Sequence, residues 1–228
     1  MPPADLSELA LAFTDPLQRA PIRAGLAMIA ALDLALPRGG TEEAQLTRLA
    51  WWDTELERFM AGTPAHPATR ELLVHGLPLL QVPHWQTLVR TQVQRITTPN
   101  PDADTLTATA TAMGAGFSAI AILLGHATRV DHYQRLGGAV WLVNRLCAQP
   151  GHHRDHSHLM QTAAQRLETV ADELCATEAA AQHRFAIVLA TLYARTARRE
   201  HRRPGAGMPA PLGRLWSAWR AALRARPG

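Results

Sequence analysis

Apolar residues recur every three or four positions through most of the chain, and proline and glycine cut that pattern into helix-length pieces. The pattern predicts helices over 4–13, 21–36, 41–61, 66–75, 81–96, 102–124, 128–148, 156–176, 178–200 and 211–225. The third shows the logic. Thr41 is placed to cap it, Glu42 and Glu43 lie where the helix dipole favours negative charge, and Gly62 with Pro64 end it. Leu46, Leu49, Trp52, Leu56 and Phe59 then fall on one stripe, the face to be buried. There is no Asn-Gly turn or alternating run of the kind that makes hairpins, and no internal repeat. About ten helices with short connections predict an all-α fold. It is read as a single helical bundle over 1–201, a linker over 202–210, and a basic amphipathic C-terminal helix over 211–228.

Composition strengthens the helical reading. Ala (41) and Leu (31) far outnumber Val plus Ile (15), whereas strands draw on β-branched and aromatic residues. An apolar share of 47% with a net charge of +4 is incompatible with disorder throughout. The stretch 105–128 has no formal charge and is long enough to span a bilayer, but its first part is rich in Thr. Its truly apolar part, 113–124, is too short to cross, so a buried helix is expected.

Charge and cysteine usage bound the partners and the compartment. All 23 basic residues are Arg. From Arg184 onward there are ten Arg and one acid, Glu200, while the rest holds 13 Arg against 18 acids. A basic end on a mildly acidic body suits lipid head groups or an acidic partner; a solvated end is the plainer alternative. Nucleic acid is not expected, because no recognition motif accompanies the charge. The N-terminus lacks the basic region of a signal peptide. Cys147 and Cys175 have neither a disulfide framework nor metal-type spacing, so a reducing, cytoplasmic setting is expected, peripheral at the inner membrane if the basic end meets lipid.

Five stretches carry a resemblance. LAWWDTELERFMAGTPAHP (49–67), MGAGFSAIAILLG (113–125), LGGAVWLVNRLCAQPGHHRDHSHLM (136–160) and the C-terminal FAIVLATLYARTARR (185–199) with PLGRLWSAWRAALRAR (211–226) occur in the order and at the spacing of the squalene/phytoene synthase family. The chain resembles the shorter bacterial branch of these head-to-head prenyltransferases, and the resemblance implies an isoprenoid-synthase-like bundle. In that family two Asp-x-x-x-Asp motifs hold Mg²⁺ against the diphosphates of two prenyl substrates. Carboxylates at i and i+4 share one helical face, and Mg²⁺ takes oxygen ligands.

Carried over residue by residue, the family's second motif, Gln-x-Thr-Asn-x-x-Arg-Asp-x-x-x-Asp, is almost gone. Trp141 stands at the Gln, Val143 at the Thr, Cys147 at the Arg, and Ala148 and His152 at the two Asp; Asn144 alone survives. On the first Asp-rich helix Asp33 is the one carboxylate, with Ile29 and Pro37 at i−4 and i+4. Arg95 sits where many members carry an acid. Losing one good electrostatic stabiliser typically costs about 10²–10³ in rate, so losing nearly all the metal ligands should abolish turnover. No cofactor is expected; Mg²⁺ would enter only if the chain were an active enzyme.

The residues implied to line a substrate cavity are Asp33, Trp52, Gly114, Gly116, Phe117, Gly137, Trp141, Asn144 and Arg145. Each has a plainer reading. Arg145 and Arg95 suit a phosphate by forked hydrogen bonds, or simply face solvent or a partner. Trp51 and Trp52 would clamp an isoprenoid chain, or Trp52 is core. Gly114, Gly116, Gly137 and Gly138 would permit close helix packing. GHHRDHSH (151–158) has the residue types of a zinc site but reads first as a structural connector. On the last helix Leu212, Leu215, Trp216, Trp219 and Leu223 share a face among Arg214, Arg220, Arg224 and Arg226. That pattern suits a membrane surface, a protein partner, or packing on the chain's own bundle. No Ser-His-Asp set, phosphate loop or dinucleotide fingerprint is present.

The expectation is a squalene/phytoene-synthase-like protein that has lost catalysis and serves in binding or assembly, as does the family branch that assists assembly of respiratory complex I. Two alternatives remain open: an active prenyltransferase acting on prenyl diphosphates, and a carrier of a prenyl or lipid ligand.

Overall fold

Four helices open on a proline, whose restricted φ suits the first helical position and whose missing N–H costs nothing there: Pro16, Pro67, Pro78 and Pro211. The computed structural model describes residues 4–34, 41–76, 78–98, 101–149, 155–205 and 210–225. Its helices are α1 (Ala4–Ala12), α2 (Pro16–Leu34), α3 (Glu42–Met60), α4 (Pro67–His75), α5 (Pro78–Thr97), α6 (Ala103–Met113), α7 (Ala115–Leu123), α8 (Val130–Ala148), α9 (His156–Cys175), α10 (Arg184–Arg202) and α11 (Pro211–Arg224). Short 3₁₀ turns, Ala127–Arg129 and Ala180–His183, lead into α8 and α10. The fold is all-α; among the described residues there is no strand.

The expected bounds hold to one residue at each end for α1, α3, α4, α9 and α11. Elsewhere they need correction. The helix expected from residue 21 starts at Pro16 and runs through Pro21, and the one expected from 81 starts at Pro78 and runs through Pro83. In both cases the second proline lies five residues into the helix, so the carbonyl it leaves unpaired belongs to Leu17 or Leu79. Both of those residues are largely exposed (87% and 68%), and water can serve the carbonyl. Asp15 adds a cap, its Oδ1 accepting from the Leu17 N–H at 2.9 Å. The single helix expected over 102–124 is interrupted at Gly114, whose N–H turns back to Thr111 O at 3.2 Å. The helix expected over 178–200 begins later, at Arg184, because its first turn is 3₁₀. Of the expected linker, Arg202 is still helical and residues 206–209 lie outside those described.

The contacts divide the chain into two units. The first draws on 1–17, 102–110 and 138–228, the second on 18–101 and 111–137. In the first unit α10 packs against α9, α11 and α1. Every residue from Phe185 to Ala190 is buried, so the start of α10 is core all round. Its later turns bury Leu192, Tyr193, Thr196 and Ala197 and expose Arg195, Arg198, Arg199 and Arg202.

In the second unit α5 packs against α3 and α7. Leu49, Trp52, Leu56 and Phe59 are buried on α3 as their spacing predicts, and Leu46 is half-buried. α7 is buried from Ala115 to Ala121. The segment Ala103–Leu123 is long and apolar enough to cross a membrane, yet 61% of its apolar window is buried within the protein, as in an ordinary core helix. The α3–α4 corner is held by Glu55, which is fully buried. Its carboxylate accepts from the backbone N–H of Ala65 (2.9 Å) and His66 (2.8 Å) and from the Thr69 hydroxyl. His66 Nδ1 in turn accepts from the Ala68 N–H at 3.1 Å, capping α4.

Candidate functional site

Asp33 lies in the last turn of α2 and meets the buried face of α5. Gln92 Nε2 donates to its Oδ1 at 2.7 Å, and Arg95 Nη1 stands 3.7 Å from the same oxygen. Arg95 also donates to the Gln92 amide oxygen, so the three side chains are linked to one another. Surrounding protein raises the Asp33 carboxyl above its ordinary pKa; the Gln92 hydrogen bond and the Arg95 charge oppose that without cancelling it. This set does not fit Mg²⁺. A cation of the chain's own already faces the carboxylate, and an amide occupies the same oxygen. Pro37, at i+4, lies outside the described residues.

The other candidates in the second unit are packing positions. A Cβ on Gly116 would lie 2.7 Å from Ile29 Cγ1 and 3.4 Å from Leu88 Cδ2, and one on Gly137 would lie 2.6–2.8 Å from Phe117. Glycine therefore lets α7 approach α2 and α5, and lets α8 approach α7, with side chains filling the space. Phe117 and Gly114 are buried. Trp52 is 4% exposed and packs on the His66 ring at 4.7 Å, with Trp51 edge-on at 5.3 Å. Trp52 belongs to the core beside the Glu55 corner.

In the first unit Trp141, Asn144 and Arg145 lie on the later turns of α8, all half-buried. Asn144 hydrogen-bonds the Tyr193 hydroxyl of α10. Burial pushes that hydroxyl up to about 12, with Asn144 acting in the opposite direction. One turn on, Cys147 has its thiol pushed up to about 12 by burial, with the Glu200 carboxylate adding to it. Burial lowers the Arg145 pKa from its usual value. Of the histidine run, residues 151–154, and so His152, lie outside the described residues; His156 is buried and His158 exposed. Among the described residues no three His, Cys, Asp or Glu side chains come together to hold a metal ion.

Charge gathers elsewhere. α9, α10 and α11 enclose a cleft of about 920 Å³ lined by six arginines, Arg195, Arg198, Arg199, Arg202, Arg203 and Arg224, and by two carboxylates. Glu168 takes Arg198 through both carboxylate oxygens, and Asp172 takes Arg224 at 2.5 Å. Arg195 donates only to neutral acceptors of α11, the Gly213 carbonyl (2.9 Å) and the Ser217 hydroxyl. Arg199, Arg202 and Arg203 make no side-chain bond to another described residue. The sequence reading registered this charge as a tail property and missed the cleft. The 195–198–199–202 spacing, one helical face, was its visible signal.

α11 leans on that cleft through small residues. Ser217, Ala218 and Ala221 are buried, while Leu212 (81%), Trp216 (57%), Leu215 (50%) and Trp219 (44%) are exposed, with the two indoles stacked at 5.0 Å. No protein-family model, curated protein or solved structure matches the chain.

Proposed function

We propose that the chain is a non-catalytic relative of the squalene/phytoene synthases with a role in binding or assembly. The observation that carries this reading is the linkage of Asp33 to Gln92 and Arg95. At the one position where the first Asp-rich motif retains a carboxylate, the counter-charge comes from an arginine of α5. At the second motif the carboxylate positions carry Ala148 and His152, and the preceding Arg is Cys147. Departure of diphosphate requires several positive charges held by carboxylates. A single aspartate that an arginine already engages supplies no such site.

The test is a titration of Mg²⁺ into the full chain with and without a non-hydrolysable farnesyl thiodiphosphate. The reading expects no saturable heat from the metal in either case. Saturable Mg²⁺ binding that needs the thiodiphosphate and vanishes in Asp33→Asn would support the prenyltransferase instead.

A further inference from the structure

We infer that the face built from the α9–α10–α11 cleft and the outer side of α11 is a docking surface for a bilayer containing anionic phospholipid. It lies wholly within the first unit, and its chemistry does not depend on what Asp33 does.

Glu168 and Asp172 neutralise Arg198 and Arg224, so the charges of Arg195, Arg199, Arg202 and Arg203 stand uncompensated around the cleft. Arg195 is held rigidly against α11 by Gly213 and Ser217; Arg199, Arg202 and Arg203 are exposed, with side chains able to move to a partner. Guanidinium groups bind phosphate oxygens by paired hydrogen bonds. A second, smaller hollow of about 270 Å³ lies beside Arg198 and Arg202, so these two stand on a ridge between the two hollows.

α11 turns its large apolar residues away from the protein. Its buried face consists of Ser217, Ala218 and Ala221, which let it sit close to α10. Leu212, Leu215, Trp216 and Trp219 recur at three- and four-residue steps on the opposite side and project into solvent. Arg220 and Arg224 are exposed on the same helix, and Arg224 joins the cleft. The helix is a ridge with its widest side chains outermost. A fluid bilayer takes in such a ridge without a matching groove. Tryptophan favours the depth of the lipid head groups, where its ring is apolar and its N–H stays wet. Clustered arginines beside it supply attraction to anionic lipid. A lone apolar stripe would leave the occupant open; here the uncompensated charge selects a negative one.

The experiment is flotation of the full chain with vesicles of phosphatidylcholine alone, or of phosphatidylcholine mixed with phosphatidylglycerol. The wild type is expected to float with the anionic vesicles, to remain behind with the neutral ones, and to lose binding as salt is raised. The variant Arg199→Gln/Arg202→Gln/Arg203→Gln should lower the partition roughly a hundredfold, at about fivefold per arginine. Trp216→Ser/Trp219→Ser should weaken it independently at constant charge. All five side chains are exposed, so both variants are expected to keep the wild-type circular dichroism and Tm. Flotation that ignores lipid charge, flotation that survives the triple substitution, or no flotation at all overturns the proposal, the last in favour of a protein partner for α11. Saturable heat with inorganic diphosphate and no vesicle binding also overturns it, leaving a site for a free phosphate compound.

Discussion

The Arg95 guanidinium stands 3.7 Å from Asp33 Oδ1, and the Gln92 amide, 2.7 Å from that oxygen, bridges the two side chains. The aspartate is thereby tied to α5, in surroundings that raise its pKa. A carboxyl whose folded pKa lies above its unfolded one opposes folding when ionised. That cost is present at neutral pH and is relieved as pH falls through the raised value toward the ordinary 3.8. Asp33→Asn is therefore expected to raise Tm slightly at neutral pH, with the difference from wild type shrinking as pH falls. Thermal melts of both proteins across the acidic range check it.

Gly137 and Gly116 differ in what a methyl group would meet. At Gly137 it runs into the Cβ and ring of Phe117, which have little room to yield. At Gly116 it meets chiefly the end of the Ile29 side chain, which can rotate. Overpacking costs about 1–3 kcal/mol, while replacing glycine by alanine inside a helix returns about 1. Gly137→Ala should be clearly destabilising in urea titration and Gly116→Ala near neutral.

Glu55→Ala should be among the most damaging single substitutions in the second unit. It leaves the N–H groups of Ala65 and His66 and the Thr69 hydroxyl without their acceptor in a buried corner. The expected loss is about 3 kcal/mol, with Glu55→Gln, which keeps one acceptor oxygen, costing visibly less. Chemical denaturation of the pair measures it.

Cys147 should be a slow thiol. With its pKa pushed up to about 12, almost none is thiolate at mildly alkaline pH. Alkylation of the folded protein by iodoacetamide, followed by peptide mass spectrometry, should therefore leave Cys147 unmodified over times that fully label it in urea.

How much of this was legible in the sequence varies by element. α3 was readable from its cap and stripe because Thr41, Glu42 and the run from Leu49 to Phe59 all act locally. The starts of α2 and α5 were not, since Pro21 and Pro83 look like helix boundaries. Only the exposure of Leu17 and Leu79 shows why an unpaired carbonyl is tolerated there. That Asp33 has no carboxylate at i−4 or i+4 was plain in the sequence. That Arg95 and Gln92 converge on Asp33 was not, because 59 residues separate Gln92 from it. The arginine cleft needed three helices to be packed before a stripe on one of them became a site. The face of α11 inverted the usual expectation: its alanines are inside and its tryptophans outside, which its spacing alone leaves undecided.

We propose that this fold does not ionise a prenyl diphosphate, and the decisive assay is release of inorganic diphosphate from farnesyl diphosphate by concentrated protein in the presence of Mg²⁺. Release no faster than in buffer alone is expected. Magnesium-dependent release above that background, abolished by Asp33→Asn, would contradict it.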